Sequence, residues 1–565
     1  MNLRMRVLAA WVGLSILVVG VAGELRGDEA ESRAAASAPA AQCAEKPSES
    51  QWVAVVTPGL RGALEPLAEH RASQGYKVVL IDVPEAAREP DGGAKLCERV
   101  RKACEGWAGQ SCVLLVGAPL PTEDVAEGCY VPALAGRIGR TVVRPTDNPY
   151  GCADGAFEPR VAVGRFPART VGEAEGMVRR VLAWEREVPP GAWKRRMVLL
   201  AGSPAFNPIV DRMVENLAMG YFERLPKDYT ANAIYFNPIS RFAVPADEVV
   251  GQAETYLDKG QLLTVYVGHS APSGFWFQGW SGPYFSRRDW ARIKLPAARG
   301  LFVTVGCWGA RYDATDGESY GLAAMRNPDG PVAVIGSDWI DYAAMAMMLT
   351  EGLLTNLPNG MQDKTLGTLW LEMKRHLAAG PLDPLTFRML DAVDGDPNVP
   401  PEVQRPEHLE MFQLLGDPAL VLPAVGHAIE IACAEKVSAG QTLVVRCDVP
   451  RALEGARGRV VVERRLTSMP LGLEPVPDED GAEQAATIRE NHRLANTFEL
   501  CGTDVQVQEG KVEARLVLPD ALPWTELLVR VWLAGKGNEG LGTRLVQVER
   551  APAAGKSAPE DHSGR

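Results

Sequence analysis

The chain of 565 residues lacks any excess of positive charge. Its 59 Lys and Arg stand against 71 Asp and Glu, a net charge of −12. General nucleic-acid binding needs a basic footprint, so that class is set aside. No CxxC pair and no His/Cys cluster at zinc-ligand spacing occurs among the 10 cysteines, which argues against a structural zinc. After the N-terminal segment, no apolar stretch is long enough to span a bilayer. Cys43 follows no apolar run, which speaks against a lipoprotein anchor. What is present is ordinary for a globular protein: 46% hydrophobic and 23% charged residues. The length exceeds what one core holds, so two to four domains are expected.

The N-terminus reads MNLRMRVLAAWVGLSILVVGVAG. Arg4 and Arg6 precede an apolar run, Val7 to Val21, and Val21-Ala22-Gly23 offers small residues for cleavage. Residues 1–23 read as a signal peptide, with an uncleaved anchor as the alternative. An exported protein follows, in the periplasm, on the cell surface or in the medium. Residues 24–50 are rich in Ala, Ser, Glu and Pro, and read as a disordered leader too short to be a folded inhibitory pro-domain. Residues 551–565 read as a disordered tail. Export permits disulfides, but connectivity does not follow from spacing.

From residue 51 strands and helices alternate: QWVAVV, KVVLIDV, SCVLLVG, RVAVGRF, RMVLLAG and ANAIYF are separated by helical stretches. This is the rhythm of a parallel sheet covered by helices. It divides into an N-terminal α/β subdomain, 51–190, and a second one, 191–424. After Val425 the helical period stops, and short runs such as TLVVRCDV, GRVVVERRL, KVEARLVL and ELLVRVWLAG replace it. Residues 425–550 therefore read as an immunoglobulin-like β-sandwich, with a loop over Asp478 to Ala486.

Three apolar runs lie between Leu262 and Ser337: LLTVYVGHS, GLFVTVGCWG and GPVAVIGS. His269 sits just past the first and Cys307 just past the second. In open α/β sheets ligands bind beyond the carboxyl ends of the strands. Gly268 and Gly306 allow a sharp turn and a close approach of substrate. A thiolate is a strong nucleophile, and an imidazole beside it can take its proton and later protonate the leaving group. Backbone N–H groups at Ser270 and Cys307 are candidate oxyanion donors. Against this stands the plain reading: a buried thiol, or half a disulfide, and a hydrogen-bonded structural histidine.

These motifs, taken in order, resemble the gingipain family of secreted cysteine peptidases, whose fold is caspase-like. YVGHS is similar to the family's histidine segment and VTVGCWGARYD to its nucleophile segment. ESYGLAAMRNPDGPVAVIGSDW resembles the segment that follows. VLLVG, TDNPYGCADG, VAVGRFPART and LLGDPALVL match further landmarks. The resemblance covers about 51–423. It implies an α/β caspase/gingipain-like fold, mostly parallel sheets flanked by helices in two subdomains, followed by the C-terminal sandwich. It implies an endopeptidase acting on proteins or peptides, with Cys307 as nucleophile, His269 as base and an acyl-enzyme intermediate. No cofactor is required. Ser270 replaces the family's Gly after the His. The loop SPAFNP after RMVLLAG carries no carboxylate, so neither a third catalytic acid nor a taste for basic side chains carries over. Asp211 and Glu215 lie nearby and read as helix-surface residues.

Asp338, Trp339 and Tyr342 follow the third run and are candidate substrate-binding residues, with packing as the alternative. Trp276 and Trp280 are candidates for a cleft wall. Asp147 and Asp154 sit in a Gly/Pro-rich turn where calcium is an option, although a solvated turn needs no ion. Two other functions remain open: an inactive surface or secretion-linked binding protein, and a thiol transpeptidase, which shares the acyl-enzyme step.

Overall fold

The structure is a computed structural model. It describes residues 50–84, 92–104, 111–136, 143–203, 212, 215–216, 219–220, 223–237, 240–276, 282–313, 317–358, 363–396, 398–477 and 481–549. The expected signal peptide and tail, the expected leader up to residue 49, and Trp280 and Asp211 lie outside the described residues.

Ten strands form one sheet: β1 (Gln51–Val56), β2 (Lys77–Asp82), β3 (Cys112–Val116), β4 (Ala162–Phe166), β5 (Arg196–Gly202), β6 (Thr230–Phe236), β7 (Leu263–Val267), β8 (Leu301–Val305), β9 (Ala333–Ser337) and β10 (Phe412–Leu415). Their order is β2-β1-β3-β4-β10-β9-β8-β7-β5-β6. Every neighbouring pair is parallel except β9–β10. The strands expected in two subdomains thus share one continuous sheet. β10 makes the join, pairing antiparallel with β9 and parallel with β4.

The helices are α1 (Pro58–Ser73), α2 (Gly92–Ala103), α3 (Val171–Glu187), α4 (Val249–Leu257), α5 (Arg287–Arg292), α6 (Tyr320–Arg326), α7 (Ala343–Thr355), α8 (Leu366–Ala379), α9 (Pro384–Asp394), α10 (Pro401–Met411) and α11 (Ala482–Ala495). The period of two along β1 sends Trp52, Ala54 and Val56 to the face that carries α1 and α3, and Val53 and Val55 to the face that carries α2. Both faces are covered, which is why these strands read as unbroken apolar runs. Past β10, the buried Asp417 accepts from Trp52 Nε1 at 3.0 Å, Arg71 Nε at 2.9 Å and its own turn at Ala419 N, 3.0 Å. LLGDPALVL is the segment that locks the sheet to α1.

The C-terminal region holds β11 (Thr442–Asp448), β12 (Arg457–Glu463), β13 (Glu499–Gln506), β14 (Lys511–Val517), β15 (Glu526–Gly535) and β16 (Asn538–Val548). One sheet runs His427–Ala428, β16, β15, β12, β13; the other runs Glu430–Ala432, β11, β14. The alternate residues Val512, Ala514 and Leu516 of β14 and Val529, Val531 and Leu533 of β15 share one core. Where the sequence suggests a loop, α11 begins at Ala482. Its Ala, Glu, Gln and Arg favour helix. Ile488, Asn491, His492 and Ala495 make a buried stripe at 3–4 residue spacing. His492 Nε2 lies 2.6 Å from Tyr256 OH. Asn496 gives and takes backbone hydrogen bonds at Ala233, on the edge strand β6.

Candidate active site

β7 and β8 lie side by side, parallel, with Val267 opposite Val305. His269 and Cys307 each fall two residues beyond that pair, so the two loops leave the sheet together. The glycines before them are required by space. At Gly268, φ is +147°, and an added Cβ would sit 2.8 Å from Gly202 Cα at the end of β5. At Gly306 an added Cβ would sit 2.5 Å from Gly268 O. Three strand ends converge there, and no side chain fits between them.

The two loops are tied to each other. Ser270 Oγ donates to Cys307 O at 2.7 Å. Tyr320 OH reaches Ser270 Oγ at 3.2 Å and also shares a hydrogen bond with Thr304 Oγ1. Tyr266 OH donates to His269 O. Ser270 is buried, so its hydroxyl serves this tie rather than an open surface.

Cys307 Sγ lies against the backbone that follows β9. Asp341 N donates to it at 3.4 Å, and Asp341 O is 3.8 Å away. Burial pushes the Cys307 thiol up to about 12, so by itself it is protonated at neutral pH. The Asp341 carboxyl is also buried and sits 3.0 Å from His408 Nε2. His408 Nδ1 lies 2.7 Å from Gln404 O, and its Nε2 accepts from Tyr342 N at 3.2 Å. Burial raises Asp341, and His408 opposes the rise. Asp394, at the end of α9, is raised by burial and lowered by Ala343 N–H and by the His269 imidazole. Asp394 and Asp341 both raise Cys307 further, so the thiol, the imidazole and the two carboxyls form one electrostatic cluster.

The sequence model of peptidase family C25 matches residues 45–423. The chain belongs to peptidase family C25. This C25 member is a cysteine-type peptidase. Among solved structures, the Arg-specific cysteine proteinase gingipain R is 16% identical, with 89% of this chain and 99% of that one covered and a TM-score of 0.49. The complex of the pro- and mature domains of RgpB from Porphyromonas gingivalis is 16% identical over 88% of this chain and 100% of that one, TM-score 0.48. A search of the curated proteins finds no match.

The C25 chain distributes the other sequence candidates unevenly. Trp339 stays half-buried beside the nucleophile loop: Trp308 N donates to its carbonyl at 3.0 Å, the two indoles meet edge-on at 6.0 Å, and Arg144 lies 4.4 Å over the Trp339 ring. Trp308 has φ 58°, a left-handed conformation that costs a bulky residue roughly 1–3 kcal/mol. Asp338 is turned into the interior, where Oδ1 accepts from Tyr312 N at 2.8 Å and Oδ2 lies 3.4 Å from Arg144 Nε. Tyr342 is buried against His408. Trp276 N donates to His269 O at 3.0 Å, so Trp276 borders the histidine loop. Glu215 accepts from Ser240 Oγ at 2.6 Å. Both Asp147 oxygens are taken by Arg165, at 2.6 and 2.7 Å, and Asp154 pairs with Arg101 at 2.9 Å. Among the described residues no group of three or more His, Cys, Asp or Glu is placed to hold a metal ion.

Asp341, Asp394 and His408 escaped the sequence reading. The last two lie in α9 and α10, in a stretch to which the sequence pattern alone gives no element. Pro384 and Pro401 are helix starts, where the missing N–H costs nothing.

Proposed function

We propose that the chain is an exported cysteine endopeptidase in which Cys307 is the nucleophile and His269 the general base. The observation that carries this reading is the register of β7 and β8, which releases the imidazole and the thiol from adjacent strand ends. A thiol pushed up to about 12 needs a base to become a nucleophile near neutrality, and His269 leaves the adjacent strand end and acts on Asp394, one of the carboxyls that also act on the thiol.

His269 takes the Sγ proton as the sulfur attacks the scissile carbonyl carbon. The C=O electrons move onto oxygen, where the backbone N–H groups of Ser270 and Cys307 are the candidate donors. The imidazolium then gives its proton to the leaving nitrogen as the C–N bond breaks, leaving a thioester on Cys307. Water, deprotonated by His269, attacks the thioester; the acid leaves and the thiol re-forms. Trp339, beside Trp308, is the substrate-binding residue this reading favours, with its indole forming one wall of the cleft. Residues 1–23 direct export, and the two C-terminal sheets form an immunoglobulin-like sandwich.

The test is cleavage of a mixed peptide library by the reduced protein beside Cys307→Ala and His269→Ala. Internal cleavage by the parent and none by either variant is the expected result. Equal cleavage by Cys307→Ala would end the proposal.

A further inference from the structure

Asp394 closes α9, far in sequence from either strand end, yet it is moored beside the nucleophile. Its Oδ2 accepts from Ala343 N at 2.9 Å. Ala343 is the first residue of α7, and Asp341, two residues earlier, gives its own N–H to Cys307 Sγ. One short stretch of backbone therefore holds the Asp394 carboxylate on one side and the thiol on the other. The His269 imidazole acts on the same carboxylate and favours its ionised form. Four titratable groups bear on it: His269 after β7, Cys307 after β8, Asp341 before α7 and, through Asp341, His408 of α10.

We propose that Asp394 is the positioning residue of His269: its carboxylate orients the imidazole and stabilises the imidazolium formed when the thiol proton is taken up. This rests on the catalytic reading of Cys307 and His269. The carboxylate comes from a helix after the sheet strands β1–β9, not from the acid-free loop after β5. A fixed anion acts this way because it favours the charged form of the base and one ring orientation.

A purely structural role would also place Asp394 here. The N-cap of α7 is Tyr342, whose side chain makes no capping bond, so Asp394 supplies the missing cap from another helix. Substitution separates the two roles. Asp394→Asn keeps an oxygen for the Ala343 N–H and removes the charge. Asp394→Ala removes both, and Asp394→Glu restores the charge.

The experiment measures kcat and KM against pH for these variants, with thermal midpoints, beside Cys307→Ala and His269→Ala. It also follows the His269 ring by NMR across the same pH range. Asp394→Asn is expected to lose at least tenfold in kcat, with KM within twofold and the melting midpoint unchanged. Its acid limb, and the His269 ring titration, should move to lower pH by half a unit or more. Asp394→Glu should recover part of the loss. Parent-like kcat and pH profile in Asp394→Asn, while Cys307→Ala and His269→Ala are inactive, would reduce Asp394 to a helix cap and overturn the inference. If Cys307→Ala stays active, the catalytic reading fails instead, and the ring titration alone decides. A downward displacement in Asp394→Asn supports the coupling, and coincident curves overturn it.

Discussion

Replacing His269 by Ala turns the account of the thiol into a number. Burial pushes Cys307 up to about 12. At about pH 7.5 the thiolate fraction without a base is then on the order of 10⁻⁵ to 10⁻⁴, against on the order of 10⁻¹ for an ordinary thiol. Iodoacetamide should therefore alkylate Cys307 in His269→Ala roughly a thousandfold more slowly than an exposed cysteine. The rate should rise about tenfold per pH unit until beyond about pH 10. In the parent the imidazole takes the proton, and labelling should already be fast near neutrality. No disulfide joins the described cysteines, so other thiols compete for the reagent and the assay must locate the label. Tryptic peptide 300–311, GLFVTVGCWGAR, contains Cys307 and no other cysteine. The reasoning fails if His269→Ala is labelled there at the parent rate, or with a midpoint below about pH 9.

Three further outcomes follow from the packing. Asp417→Ala leaves Trp52 Nε1 without its acceptor and Arg71 with Glu185 as its remaining carboxylate. Denaturant midpoints should report a loss of about 3–5 kcal/mol, and a loss under about 1 would contradict the buried network. Gly268→Ala puts a Cβ 2.8 Å from Gly202 Cα at positive φ. It should cut kcat/KM by about a hundredfold or more, since small displacements at a reacting centre are that costly. Parent-like kinetics would show that the strand ends do not need the space. Lys374 is buried, with Nζ 2.7 Å from Asn148 Oδ1 and 3.1 Å from Phe412 O, and burial pushes it down to about 7. The unfolded chain then holds this proton more tightly than the folded one. Stability should rise with pH between about 7 and about 10, by at most about 1.4 kcal/mol per unit. Lys374→Met should flatten that slope in denaturant titrations, and equal slopes would refute it.

The sheet was legible where apolar runs ended in small residues. LLTVYVGHS, GLFVTVGCWG and GPVAVIGS became β7, β8 and β9, adjacent and parallel, because strands buried on both faces carry a strong signal. The α/β class and the family assignment follow from that legibility. Less was visible where no pattern marked an element. α9 and α10 were not anticipated, and with them went Asp394 and His408. The joining role of β10 was also hidden, since FQLL carries no mark of the strand it will sit beside. Asp341 stood in plain view after β9, but only the backbone path shows its N–H, and not its carboxylate, meeting the thiol.

The central claim is that Cys307 attacks and His269 assists. A peptidyl acyloxymethyl ketone, followed by tryptic mapping, tests it directly. The account predicts one adduct, on peptide 300–311, formed rapidly near neutral pH and absent from Cys307→Ala and His269→Ala. An adduct on any other cysteine, or undiminished labelling without His269, would contradict it.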